Sequence, residues 1–308
     1  MKPARVEVLL NASAGAIERD GADRLRDELE AAFAEHAMSA RLEFLKGADL
    51  RSGAERALQR ATRGELDAVI ASGGDGSIRT VAGVLADSGV PLGVIPLGTL
   101  NHFAKDLNIP ISIADAVGVI AAGETRAVDV GQVNGHIFIN NSSIGLYPYL
   151  VLDRERKQRR QGWSKWPAMA AAGLRAIRHF PVRRLRIAAE GWDEPCRSPC
   201  VFVGNNEYAL TGLSLGRRER LDEGRLCLFV AKQQSAIALL GLGVRCILGL
   251  LNQERDLRIL KLTELEVRSR HRNLLISLDG EVETIRAPLH YRTRPGALRV
   301  FAPSAARS

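Results

Sequence analysis

Three times in its first hundred residues this chain runs a short apolar segment into a turn of small residues. Residues 5–10 lead to Asn11-Ala12-Ser13-Ala14-Gly15, residues 67–71 to Ser72-Gly73-Gly74-Asp75-Gly76-Ser77, and residues 91–95 to Pro96-Leu97-Gly98-Thr99-Leu100-Asn101. Residues 41–45 read as a further strand. Helical spacing fills the intervals, with Leu25, Leu29 and Phe33 along residues 22–35, then residues 53–63 and a pattern running to Leu85. Strands that alternate with helices in this way predict a parallel sheet flanked by helices.

The character changes near Arg126. Strands are expected over residues 127–133, 136–141, 185–189, 200–203, 225–230, 262–268 and 274–278, with a helical insert at 166–179 and an apolar segment at 235–251. Such a series predicts a β-rich second domain. A chain of 308 residues suits two domains. The expected division is residues 1–126 and 127–292. Residues 298–302 could form a strand that returns to either domain, which leaves 293–308 as a candidate addition to the first.

The chain is 46% hydrophobic and 25% charged, enough to bury a core. Its net charge of +8 favours polyanions: nucleic acid, an anionic membrane or a phosphorylated small molecule. An aromatic content of 5% argues against base stacking, and no nucleic-acid module is recognisable. No nucleic-acid partner is therefore expected. The N-terminal apolar run is too short for a signal peptide, and no segment matches a membrane span of about 20 apolar residues. The expected location is the cytoplasm, peripheral to a membrane at most. Cys196, Cys200, Cys227 and Cys246 form no CxxC pair and read as reduced thiols.

The chemistry lies in the turns. Gly73, Gly74 and Gly76 let the backbone bend tightly and approach a phosphate, and the N-terminus of the following helix adds positive potential. Asp75 is the odd member, since a carboxylate among phosphate-binding amides needs a metal, a proton or a capping role. Thr99 and Asn101 offer hydrogen bonds to phosphate or ribose; a plainer reading makes Asp75 a helix cap and Thr99 an N-cap. Two such turns at successive strand ends form the kind of crevice where α/β sheets bind ligands.

Read in order as NASAG, GGDGS and PLGTLNHFA, the three turns resemble the diacylglycerol kinase catalytic family, which includes bacterial lipid kinases and sphingosine kinases. Late in the chain Leu278-Asp279-Gly280-Glu281 resembles that family's Asp-Gly-Glu motif, and residues 221–226 (LDEGRL) its metal-binding loop. The resemblance implies a Rossmann-like parallel α/β domain with a GGDG nucleotide loop, followed by a β-sandwich-like domain, with the active cleft between them. It implies ATP and magnesium as cofactors and a lipid hydroxyl as phosphate acceptor. By position, Gly73, Gly74, Asp75, Gly76, Ser77 and Thr99 would contact ATP, while Asn11 and Asn101 would shape its pocket. Asp279 would be the general base, with Glu281 positioning magnesium or Asp279. Read without the resemblance, Asp279-Gly280 is a common hairpin turn pair. Asp222 and Glu223 would be metal ligands. Residues 204–208 (GNNEY) match a further family stretch and would line the cleft.

The chain departs from the family at His102, where Asp is usual, at Arg79-Thr80, where Asn-Glu is usual, and at Glu223 and Cys227 in the metal loop. Cys227 is not a hard oxygen ligand, so a metal there would rest on Asp222, Glu223 and backbone carbonyls such as those of Arg220 and Arg225. Residues 153–186 carry eleven Lys and Arg against Asp153 and Glu155, with Trp163 and Trp166 among them. That composition suits an anionic membrane surface. The apolar segment at 235–251 reads either as a buried helix or as a wall for an acyl chain. Two other readings stay open: a kinase of a soluble substrate such as NAD or a sugar phosphate, and a non-catalytic nucleotide or lipid sensor. Oligomeric state is open, a homodimer included.

Overall fold

β1 (Arg5–Asn11) buries five residues in succession, the mark of a strand covered on both faces. The computed structural model describes residues 2–12, 19–148, 183–209, 216–232 and 256–303, together with positions 151, 238, 241 and 245. The chain forms two compact units: Met1–Val130 with Pro295–Ser308, and Gly131–Arg294.

In the first unit β1, β2 (Ser39–Leu45), β3 (Ala68–Gly73) and β4 (Leu92–Pro96) run parallel in the order β2-β1-β3-β4. The connecting helices are α1 (Arg19–Glu35), α2 (Leu50–Thr62), α3 (Asp75–Leu85), α4 (His102–Asp106) and α5 (Ile113–Ala122). α2 packs on α3, and α1 packs on α5. With this order, β3 and β4 are neighbours and their following turns sit side by side. No helix among the described residues is long and apolar enough to cross a membrane.

β5 (Thr125–Val133) carries the chain into the second unit. There β6 (His136–Phe138), β7 (Asn141–Gly145), β8 (Arg183–Ala189), β9 (Trp192–Ser198), β10 (Cys200–Asn205), β11 (Leu226–Ala231), β12 (Leu257–Leu262), β13 (Glu264–Ser269), β14 (Asn273–Leu278) and β15 (Glu281–Arg286) follow. One antiparallel sheet has the order β12-β11-β10-β7-β14-β15. A second antiparallel ladder joins β9, β8 and β13 to the first residues of β16 (Leu289–Phe301). Ile144, Val203 and Ile276 from the six-stranded sheet pack with Ile187, Val267 and Tyr291 from the ladder in one buried core. This is the expected fold class, a parallel α/β domain followed by an antiparallel β-sandwich-like one.

The structure refines several expected strands. The stretch 136–141 holds β6 and only the first residue of β7, because the amides of residues 139–141 turn away to a carboxylate described below. The stretch 262–268 corresponds to β13 and reaches only the last residue of β12, Leu262, the two strands meeting at Thr263. The final strand starts at Leu289, well before residue 298. Its last residues lie in the first unit, where Val300 sits parallel to Leu92 of β4. The strands missed entirely, β9 and β15, are edge strands, and β9 tolerates Pro195 for that reason.

Candidate active site

β3 ends at Gly73, and α3 begins at Asp75 with Gly74 as its N-cap. Gly73 has φ 157°, and a Cβ there would stand 2.9 Å from both Cβ and Oγ of Ser77. The Ser77 hydroxyl is buried and accepts from Asn11 Nδ2 at 2.9 Å, which ties the first turn to the second. Gly76 lies in the first turn of α3, and its carbonyl accepts the Thr80 hydroxyl at 2.9 Å. The opening N–H groups of α3 have no partners within the helix.

The turn after β4 locks against this one. Leu97 N–H donates to Gly73 O at 3.0 Å, and a Cβ on Gly98 would lie only 2.5 Å from Gly74 Cα. Asn101 is buried, left-handed at φ 50° and ψ 47°, and serves as the N-cap residue of α4. The capping expectation is thus corrected twice. Thr99 is exposed and is not the cap. Asp75 does not cap its own helix; its carboxylate accepts the N–H groups of His102 at 3.2 Å and Phe103 at 3.1 Å. Asn11, Gly73, Gly74, Asp75, Gly76, Ser77 and Asn101 come together here, with Thr99 on the same loop. Two interlocked turns with no room for a side chain at Gly98, joined to a helix N-terminus, fit a polyphosphate.

In the second unit Asp279 and Gly280 form the two-residue turn between β14 and β15, both left-handed at φ 49° and 87°. The Asp279 carboxylate accepts three successive backbone amides: Ile139 at 2.8 Å, Asn140 at 2.7 Å and Asn141 at 2.9 Å. Glu281 opens β15, exposed and opposite Leu278.

Sequence reasoning missed what supports that strip from behind. Arg218 is 3% exposed. It donates to the carbonyls of Ile139 at 2.7 Å and Asn205 at 3.1 Å, and to Asn140 Oδ1 at 2.6 Å. Asn205 Nδ2 reaches Ile139 O at 3.0 Å, and the Tyr208 hydroxyl reaches Asn140 O at 2.9 Å. The carbonyls of residues 139 and 140 are thereby held from one side while their amides hold Asp279 on the other. Residues 204–208 carried a sequence signal; Arg218 sits beside Arg217 with nothing to distinguish it.

In the expected metal loop the two carboxylates are engaged by protein groups. The Asp222 carboxylate takes Arg220 Nε at 3.1 Å, while Glu223 Oε2 accepts the Glu207 N–H at 3.1 Å. The two carboxylates have separate partners. Burial pushes the Cys227 thiol up to about 12, with the Glu207 and Glu223 charges adding to the effect, the reverse of what a ligand thiolate needs. Among the described residues no group of three or more His, Cys, Asp or Glu could hold a metal ion.

Most of the basic run at 153–186 and of the apolar segment at 235–251 lies outside the described residues. Of the first, Arg186 pairs with Asp193 at 2.7 Å; of the second, Arg245 pairs with buried Asp256 at 2.8 Å.

Residues 5–133 match the diacylglycerol kinase catalytic domain, and residues 155–302 match the YegS C-terminal NAD kinase beta sandwich-like domain. The diacylglycerol kinase of Bacillus subtilis (strain 168) is 44% identical over 103 residues, 32% of this chain and 34% of that one. The matched stretch thus spans about a third of that relative. A Pseudomonas fluorescens protein named "Probable lipid kinase YegS-like" is 28% identical over 255 residues, 81% of this chain and 82% of that one. A crystal structure of a diacylglycerol kinase from Bacillus anthracis shares the fold, with a TM-score of 0.68 at 21% identity over 99% of this chain and 98% of that one. With the two domain matches following one another along the chain and the glycine turns at the ends of β3 and β4, this protein belongs to the diacylglycerol kinase catalytic-domain family.

Proposed function

We propose that this chain is an ATP-dependent lipid kinase that transfers the γ-phosphoryl group to the hydroxyl of a diacylglycerol-like lipid at an anionic membrane surface. The observation that carries the reading is the pair of interlocked glycine turns, where Gly98 sits too close to Gly74 for any side chain. The kinase names of the relatives support the reaction, and the net charge of +8 supports the surface.

In this reading the amides of residues 73–77 bind the phosphates, Thr99 adds a hydroxyl, and Asn11 and Asn101 keep the turns in place. Phosphoryl transfer needs positioning and charge compensation more than covalent help. Magnesium bound with the nucleotide supplies part of that compensation. Asp279 takes the proton of the acceptor hydroxyl as the new O–P bond forms, and Glu281 orients it. The three amides on Asp279 fix its direction, which a proton acceptor requires. The chain works from the cytoplasmic side as a peripheral protein.

The test is transfer of labelled phosphate from ATP with magnesium to a panel of lipids in mixed micelles. Labelled lipid, reduced roughly hundredfold or more in Asp279→Asn, is the expected result. Bound ATP with no labelling of any lipid would overturn the lipid reading, and NAD and sugar phosphates would then be the acceptors to try.

A further inference from the structure

α4 begins without a cap from its own N-cap residue. Asn101 accepts the Lys105 N–H at its carbonyl, but its side chain turns back onto Gly98 and makes no capping bond to the helix. The N–H groups of the first helical residues, His102 and Phe103, would then be left without partners. They are taken by Asp75, at the start of the neighbouring helix: Oδ2 accepts from His102 at 3.2 Å and Oδ1 from Phe103 at 3.1 Å. One carboxylate reaches from the first glycine turn to cap the helix on the second.

We infer that Asp75 is a positioning residue, a latch that sets the spacing of the two phosphate turns by capping α4, and not a metal ligand. Both its oxygens are turned to helix amides, whose dipoles compensate its charge close to where phosphate would bind. Phe103 is fully buried, so the latch ties the second turn to the core of the first unit. Leu97 N–H on Gly73 O is the backbone counterpart on the other side. The inference rests on the reading of these turns as a nucleotide site.

Hydrogen exchange on the unliganded wild-type protein tests the geometry without any variant. The amides of His102 and Phe103 are expected to be protected like those within α3; exchange at the rate of free amides overturns the latch. Asp75→Asn and Asp75→Ala are then assayed for binding of a fluorescent ATP analogue with and without magnesium, next to phosphoryl transfer. The latch requires binding to weaken by roughly tenfold or more in both conditions, with Ala worse than Asn. It also requires the magnesium concentration for half-maximal transfer to stay at the wild-type value. Unchanged magnesium-free binding with a raised magnesium requirement overturns it in favour of a metal ligand. A wild-type protein that binds nucleotide yet transfers phosphate to nothing counts against the kinase reading, while binding and exchange still decide the latch.

Discussion

Asn101 grips Gly98 through both of the glycine's backbone polar groups, accepting its N–H at 2.9 Å and donating to its carbonyl at 2.8 Å. The asparagine pays for this with a left-handed backbone, which Asn tolerates better than most residues. The grip holds Gly98 against Gly74 and so fixes the surface on which phosphates would rest.

Gly98→Ala should therefore be far worse than a typical loop substitution. The added methyl meets backbone at 2.5 Å and Asn101 Oδ1 at 2.7 Å, and backbone cannot swing aside. A loss of about 1–3 kcal/mol in stability is expected, as for other overpacked sites. Nucleotide binding should fall with it. Urea unfolding and nucleotide titration check both; a variant that binds like wild type would show that the turns are not in contact.

Arg218→Lys keeps the charge but cannot serve three acceptors spread over Ile139, Asn140 and Asn205 with one ammonium group. Each buried acceptor left unpaired costs about 1–3 kcal/mol. The expected loss is about 3 kcal/mol, seen in the denaturation midpoint. Because the same strip orients Asp279, kcat for phosphate transfer should drop while nucleotide KM stays near wild type. A drop in nucleotide affinity alone would contradict this role.

What the sequence made legible follows from locality. The glycine turns announce themselves because strand, turn and helix start are contiguous, and Asp279-Gly280 is a hairpin turn by its own chemistry. The latch from Asp75 to α4 and the Arg218 support link residues distant in sequence, and no periodicity encodes them. Edge strands escaped for a different reason. β15 reads EVETIR and has one face in solvent, so it lacks the apolar run that marks a central strand.

The second unit should lose stability in alkali. Burial raises the Cys227 thiol to about 12 and lifts the Tyr291 phenol above its ordinary range, although the bond to the Ser142 hydroxyl counteracts it. In the unfolded chain these groups ionise near roughly 8.5 and 10. Above those values the unfolded state binds fewer protons than the folded one, so stability falls as pH rises. The slope is about 1.4 kcal/mol per pH unit for each group once its unfolded form is ionised. Denaturation midpoints from pH 8 to 11 measure it. Cys227 should also resist a disulfide reagent at pH 8 until the protein unfolds.

The first unit carries a second titratable weak point at Glu7, buried in β1 beneath Arg60 at 2.9 Å and Arg41 at 3.6 Å. Burial raises the Glu7 pKa, and the Arg60 charge is the largest influence pulling it back. Arg60→Ala removes that influence and leaves a buried carboxylate with only the longer Arg41 contact. The cost at pH 7 should be about 2–4 kcal/mol, somewhat under that of breaking a fully buried pair. The sign of the pH dependence follows from the raised folded pKa. Below that value and above the unfolded one near roughly 4.3, the folded state holds a proton the unfolded state lacks. Stability of the variant should therefore recover as pH falls from 7 towards 5, the opposite of ordinary acid destabilisation. Urea midpoints of wild type and Arg60→Ala across that range decide it. Parallel curves would mean that Glu7 remains compensated by the charges of Arg41 and Arg56.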